Sequence, residues 1–103
     1  MAKYLFVYHG GSVPKPEDVK SVMDAWVGWF ASMGAAVVDG GNPVGKSSTV
    51  KPDGSLAEGG GANPASGYSL IEASSLDDAH KKARGCPILK AGGTIEIAAC
   101  MDM

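Results

Sequence analysis

The chain has 103 residues, with nine Lys+Arg against eleven Asp+Glu and a formal net charge of -2. That length suits one domain spanning 1–103, and 45% hydrophobic with 19% charged residues excludes a disordered chain. The slightly acidic balance supplies no field for phosphate backbones, so nucleic acid is not expected as a partner. The longest apolar run, Tyr4 to Tyr8, is far short of a membrane span, and no signal-peptide core follows Met1. Two cysteines, Cys86 and Cys100, cannot build a disulfide scaffold, so the expectation is a cytoplasmic protein away from the membrane.

Lys3 to His9 is aromatic and β-rich and stops at Gly10-Gly11, which predicts a first strand. Pro16, with Glu17 and Asp18 behind it, opens a helix. Its apolar stripe is expected to be Val19, Val22, Met23, Trp26, Val27, Phe30 and Met33, with Trp29 at the stripe's edge and Gly34 as its stop. Ala35 to Asp39 is a short second strand. Between Gly40 and Gly67 stand eight glycines and three prolines; one strand fits at Ser47 to Val50, and the residues from about 51 to 66 form a long Gly-rich loop. Tyr68 to Ala73 is a strand, Ser74 or Ser75 caps a second helix with Leu76, Ala79 and Ala83 inward, and Gly85 and Pro87 end it. Thr94 to Ala99 is the last strand.

The order β-α-β(β)-β-α-β predicts a ferredoxin-like α+β sandwich, an antiparallel sheet with two helices on one face. With Leu5, Val7, Ile71, Ile95 and Ile97 toward the helices, the opposite face carries Tyr4, Phe6, Tyr8, Tyr68, Leu70, Glu72, Thr94 and Glu96. So aromatic a face calls for a cover, and a second copy packed sheet to sheet would leave a lined cavity. A homodimer, or a dimer of dimers, is therefore expected.

Within that cavity Glu72 and Glu96 are candidate catalytic carboxyls, because burial raises a carboxyl's pKa into general acid–base range; the alternative is a position near the rim, solvated or paired with Lys3, Lys46 or Lys51. His9, ending the first strand on its helix-facing side, is a candidate base or ligand, the plainer alternative being a strand-end residue satisfied by a backbone carbonyl. Tyr8 and Tyr68 are candidate ligand-binding phenols, and Asp39 and Asn42 candidate polar groups at the rim; hydrophobic lining and turn chemistry are the plainer alternatives for these four. Gly40 to Ser47 matches the phosphate-binding loop pattern letter for letter, but a β-like stretch and Pro52 follow where that loop needs a helix. It is taken as a glycine-rich turn. With two histidines and no Cys/His pair at ligand spacing, neither a metal site nor a cofactor is expected.

Gly67 to Ala79, Gly85-Cys86-Pro87, Gly92 to Ile97, Asp39 to Pro43 and Lys3 to Tyr8 together resemble the YCII-related (DGPF-domain) family over nearly the whole chain. The resemblance implies a dimeric α+β barrel. The family's name motif stands here as Asp53-Gly54-Ser55-Leu56, and the places of the His/Asp pair proposed for its best-studied branch fall at about Met23 and at Cys86, neither of which does that chemistry. Members that dehalogenate a chlorinated hydroquinone imply that the scaffold can host an enzyme; others imply accessory roles in sigma-factor systems. The expected function is binding of an apolar or aromatic small molecule between two subunits, with acid–base chemistry as an extension. The alternative is a non-catalytic regulatory or interaction module that uses the Gly40–Gly67 segment as its contact surface.

Overall fold

The structure is a computed structural model and describes all residues from Met1 to Met103. Strand β1 (Ala2–His9) pairs antiparallel with both β5 (Ala65–Ala73) and β6 (Thr94–Ala99), and β2 (Val37–Asp39) pairs with β5, giving the order β2-β5-β1-β6. Helix α1 (Val19–Met33) follows a 3-10 turn at Pro16–Asp18, and α2 (Leu76–Ala83) starts at Ser75, whose Oγ accepts from the Asp78 N–H at 3.1 Å. Two helices packed on an antiparallel sheet make this the expected α+β, ferredoxin-like fold. No helix is long and apolar enough to cross a membrane.

The face assignments for β5 and β6 hold, but β1 is turned over. Residues opposite one another across a ladder point to the same side. The register sets Tyr4 against Ile71, Phe6 against Ser69 and Tyr8 against Gly67, and all six residues are buried. Tyr4, Phe6 and Tyr8 therefore lie under the helices, while Leu5 and Val7 share the open face with Leu70 and Tyr68. The cause is aromatic packing. The Phe6 and Tyr8 rings each stand 6.4 Å from that of Trp29, and Tyr8 meets Trp26 edge-on at 5.2 Å. Trp29, expected at the edge of the helix stripe, is the buried residue of α1, and its indole N–H donates to the Lys82 carbonyl at 2.9 Å. The helix is rotated to match: Val19, Met23 and Val27, expected inward, are exposed, the last two by 60% and 64%. Leu76 of α2 is likewise exposed, while Ala79 and Ala83 are buried as expected.

The segment after β2 is more ordered than expected. Ala35 and Ala36 belong to a 3-10 turn (Gly34–Ala36) rather than to β2. Within the expected loop of 51–66, β4 (Leu56–Glu58) pairs with β3 (Ser48–Val50) as a separate two-stranded ribbon, and β5 begins at Ala65, three residues earlier than expected. The tight turn at 51–55 lets so short a hairpin form: Asp53 Oδ1 accepts from the Ser55 N–H at 2.9 Å, and Gly54 takes φ of 86°. The phosphate-loop letters lead into β3, a strand, so no helix N-terminus faces Gly40–Ser47.

The molecule is thin, with extents of 43 × 42 × 18 Å, and only 13 of 103 residues are buried. Its accessible surface is 7073 Å². A monomer of 10.5 kDa ordinarily exposes about 5,400 Å², which leaves an excess of about 1,600 Å². Gly41 secures the turn between β2 and the ribbon: its φ is 72°, and a Cβ there would stand 1.8 Å from the Tyr68 carbonyl oxygen. Gly41→Ala is expected to cost roughly 2–4 kcal/mol in urea unfolding. Gly45→Ala, where an added methyl meets nothing, should stay within about 0.5 kcal/mol of the parent chain.

Candidate functional site

The inversion of β1 sends its odd-numbered residues to the open face. Tyr68, Val7 and Glu96 lie abreast there, since Val7 is opposite Tyr68 in β5 and opposite Glu96 in β6. His9, expected beneath the helices, is carried with them to the end of this face. Its Nε2 is 2.9 Å from Glu96 Oε1, and its Nδ1 is 3.2 Å from the Pro64 carbonyl oxygen. The His9 side chain is 9% exposed, whereas the Glu96 side chain is 66% exposed.

Both ring nitrogens of His9 thus face acceptors, an arrangement that only the doubly protonated ring satisfies. The hydrogen bond to Glu96 raises the His9 pKa above its ordinary 6.5; desolvation opposes this, and the Pro64 and Asn63 carbonyls add to the rise. Glu96 contributes one oxygen to the pair, and its other oxygen makes no bond within the chain. The pair joins three segments that are distant in sequence: the end of β1, the middle of β6 and the residues leading into β5.

The remaining expected site residues divide. Asn42 Nδ2 donates to Tyr68 Oη at 3.4 Å, and the Asn42 carbonyl accepts from the Tyr68 N–H at 3.2 Å, so these two stand together. Asp39 Oδ1 accepts from the Gly41 N–H at 2.8 Å, which closes a local turn. Tyr8 is not on the open face: its hydroxyl donates to Ser69 Oγ at 2.7 Å, Ser69 Oγ donates to the Gly40 carbonyl at 2.7 Å, and burial pushes the phenol pKa far up. Glu72 lies opposite Lys3 at the other end of β5, about 13 Å along the strand from the row holding Val7 and Glu96. It borders a separate open groove of about 680 Å³ with Trp29, Met33, Asp78, Lys81 and Lys82. Glu72 and Glu96 therefore do not share a site.

Sequence reasoning named His9 and Glu96 separately but could not pair them. Their meeting follows from the β1–β6 register, in which Thr94 is opposite His9 and Glu96 is two pairs further along, on the same face. The backbone-carbonyl alternative for His9 is met by Pro64, which belongs to a segment expected as loop. The irregularity between Tyr8 and His9, where Ala65 rather than Ser66 is opposite His9, leaves the Ser66 hydroxyl buried without a partner. No group of three or more His, Cys, Asp or Glu side chains is placed to hold a metal ion.

The pair has a pH signature. A histidine whose pKa is higher folded than unfolded contributes stability that is fully present below pH 6.5. That stability is lost as pH rises through the raised folded value. Urea midpoints measured between about pH 5 and about pH 9 are expected to fall across that window in the parent chain. Glu96→Gln should flatten the fall, and an unchanged slope in that variant would contradict the pairing.

The chain is similar in fold to 5-chloro-2-hydroxyhydroquinone dehydrochlorinase from Burkholderia phenoliruptrix AC1100, solved in complex with 2,5-dihydroxybenzoquinone. The two share 18% sequence identity at a TM-score of 0.53, over 96% of this chain and 95% of that chain. No family model matches the chain, and no curated protein matches it. At this identity the likeness establishes the fold: two helices on one antiparallel sheet.

Proposed function

We propose that this chain is a protein of the YCII-related (DGPF-domain) type that binds an apolar or aromatic small molecule on its open sheet face, beneath a second copy packed sheet to sheet. The observation that carries the reading is the His9–Glu96 pair standing at the end of an apolar face that nothing in the chain covers. Leu5, Val7 and Leu70 give a ligand an apolar bed. Tyr68 and Asn42 offer a phenol and an amide at one side, and Glu96 offers a free oxygen at the other.

The chemistry available is proton transfer. The outer oxygen of Glu96 accepts a hydrogen bond, or the proton itself, from a ligand hydroxyl, while the His9 imidazolium holds the inner oxygen in place. In the reverse direction the imidazolium is the proton reserve for a ligand oxygen that has gained charge. A planar hydroxylated ring suits such a site, and the quinone bound by the structural neighbour is a ligand of that kind. The thinness of the molecule and its excess surface support the second copy, since a stable partner covers about 800 Å² on each side.

Titration with 2,5-dihydroxybenzoquinone, read by quenching of the Trp26 and Trp29 fluorescence or by calorimetry, tests the reading. Saturable binding is expected, weakened roughly tenfold or more in Glu96→Gln with the far-ultraviolet circular dichroism unchanged. Binding that is absent, or equal in the parent and the variant, overturns the site. A parent chain that sediments as a monomer at micromolar concentration overturns the covered face.

A further inference from the structure

The ribbon β3–β4 is the part of the molecule that its own chain does least to explain. It pairs only with itself, and a lone two-stranded hairpin is marginal in water. Yet its tip is built to hold a shape. The Lys51 N–H donates to the Ser55 carbonyl at 2.8 Å, the Gly54 N–H donates to the Lys51 carbonyl at 2.8 Å, and both the N–H and the hydroxyl of Ser55 donate to Asp53 Oδ1. At the last ladder position before that turn, Val50 and Leu56 lie directly opposite each other, 67% and 73% exposed. A stiff turn displaying an apolar pair that nothing in the chain covers is a presented surface.

The position of its root indicates what it meets. The ribbon leaves the sheet after Asp39 at the end of β2 and rejoins it at Ala65, opposite His9. It is therefore rooted at the His9–Glu96 end of the open face. Resting on the reading above, in which a second copy covers that face, we propose that the ribbon is an arm that crosses to the second copy, lays Val50 and Leu56 on the rim of its open sheet, and so closes each ligand site with residues from both chains.

Area and charge support a second copy as the occupant. A four-stranded sheet with strands of these lengths presents roughly 19 by 21 Å, about 400 Å², short of the about 800 Å² that each side of a stable interface covers. An arm laid on the second copy adds to the area that the sheet alone provides. Lys46 and Lys51 at the ribbon make no ion pair in their own chain. Glu96 keeps one oxygen free. These free lysines of the arm and the free oxygen of Glu96 are complementary across a pair of copies.

Sedimentation equilibrium on the parent chain, on the Val50→Asp/Leu56→Asp double variant and on Met23→Asp tests the arm. All three positions are exposed, so each variant should retain the parent's circular dichroism and Tm. The double variant is expected to raise the dimer dissociation constant roughly tenfold or more, and Met23→Asp, on the outer side of α1, to leave it within about twofold. A double variant that dimerises like the parent overturns the arm and leaves the sheet-to-sheet pairing standing; a monomeric parent overturns both. Hydrogen exchange gives a readout without mutation. The amides of Ser48–Val50 and Leu56–Glu58 should exchange more slowly in the fully formed dimer than in dilute monomer, and equal rates in the two states overturn the arm.

Discussion

Trp29 is the contact on which the rest of the arrangement depends. Its ring lies against Phe6 and Tyr8 of β1, and its N–H donates to the carbonyl of Lys82 in α2, so one side chain fixes both helices over the sheet. An indole buries a large apolar area and has a single donor that must be satisfied; here the C-terminal turn of α2 satisfies it. Once the tryptophans are inside, the even-numbered aromatics of β1 must be inside with them. The odd-numbered residues then face outward, and His9 arrives beside Glu96. The candidate site on one face of the sheet is thus a consequence of packing on the other.

The environment of His9 differs from that of a histidine oriented by one partner and left free at the other nitrogen. Two acceptors hold it, a carbonyl fixed by the backbone and a carboxylate that reaches solvent. The ring is consequently a stored proton, and the exposed carboxylate is the group through which that proton communicates with a bound molecule. Asp78 shows the contrasting case. Lys82 and the Ser74 N–H hold its carboxyl down at about 2, and it stays ionised as a strut within α2.

Much of the architecture was legible because punctuation and periodicity agreed. Pro16, Gly34, Ser75 and Gly92 sit where elements begin or end, and the last strand occupies Thr94–Ala99 as expected. The phase of β1 was not legible, because each residue from Tyr4 to Tyr8 can be buried and alternation then carries no information. The same ambiguity affected α1, with eleven apolar or glycine positions among its fifteen residues; a helix so uniformly apolar does not declare which side faces in. At the site, residue chemistry identified His9, Glu96, Tyr68 and Asn42. Only the cross-strand register could show that His9 meets Glu96 and that Glu72 stands apart.

Ser69 answers the question that the hydrophobic pattern of β1 leaves open. It is fully buried on the aromatic face of the sheet, and its hydroxyl accepts from Tyr8 while donating to the Gly40 carbonyl. Were β1 to slip by one residue against β5, the apolar Leu5 and Val7 would still move inside, together with Lys3 and His9 at the ends. The slipped pairing, however, would carry the Tyr8 phenol to the other face and leave a buried serine hydroxyl without its donor, a loss of about 1–3 kcal/mol. The one polar side chain at the centre of the core therefore serves as a proofreading mark for strand alignment, and the alignment it selects is the one that delivers His9 to Glu96.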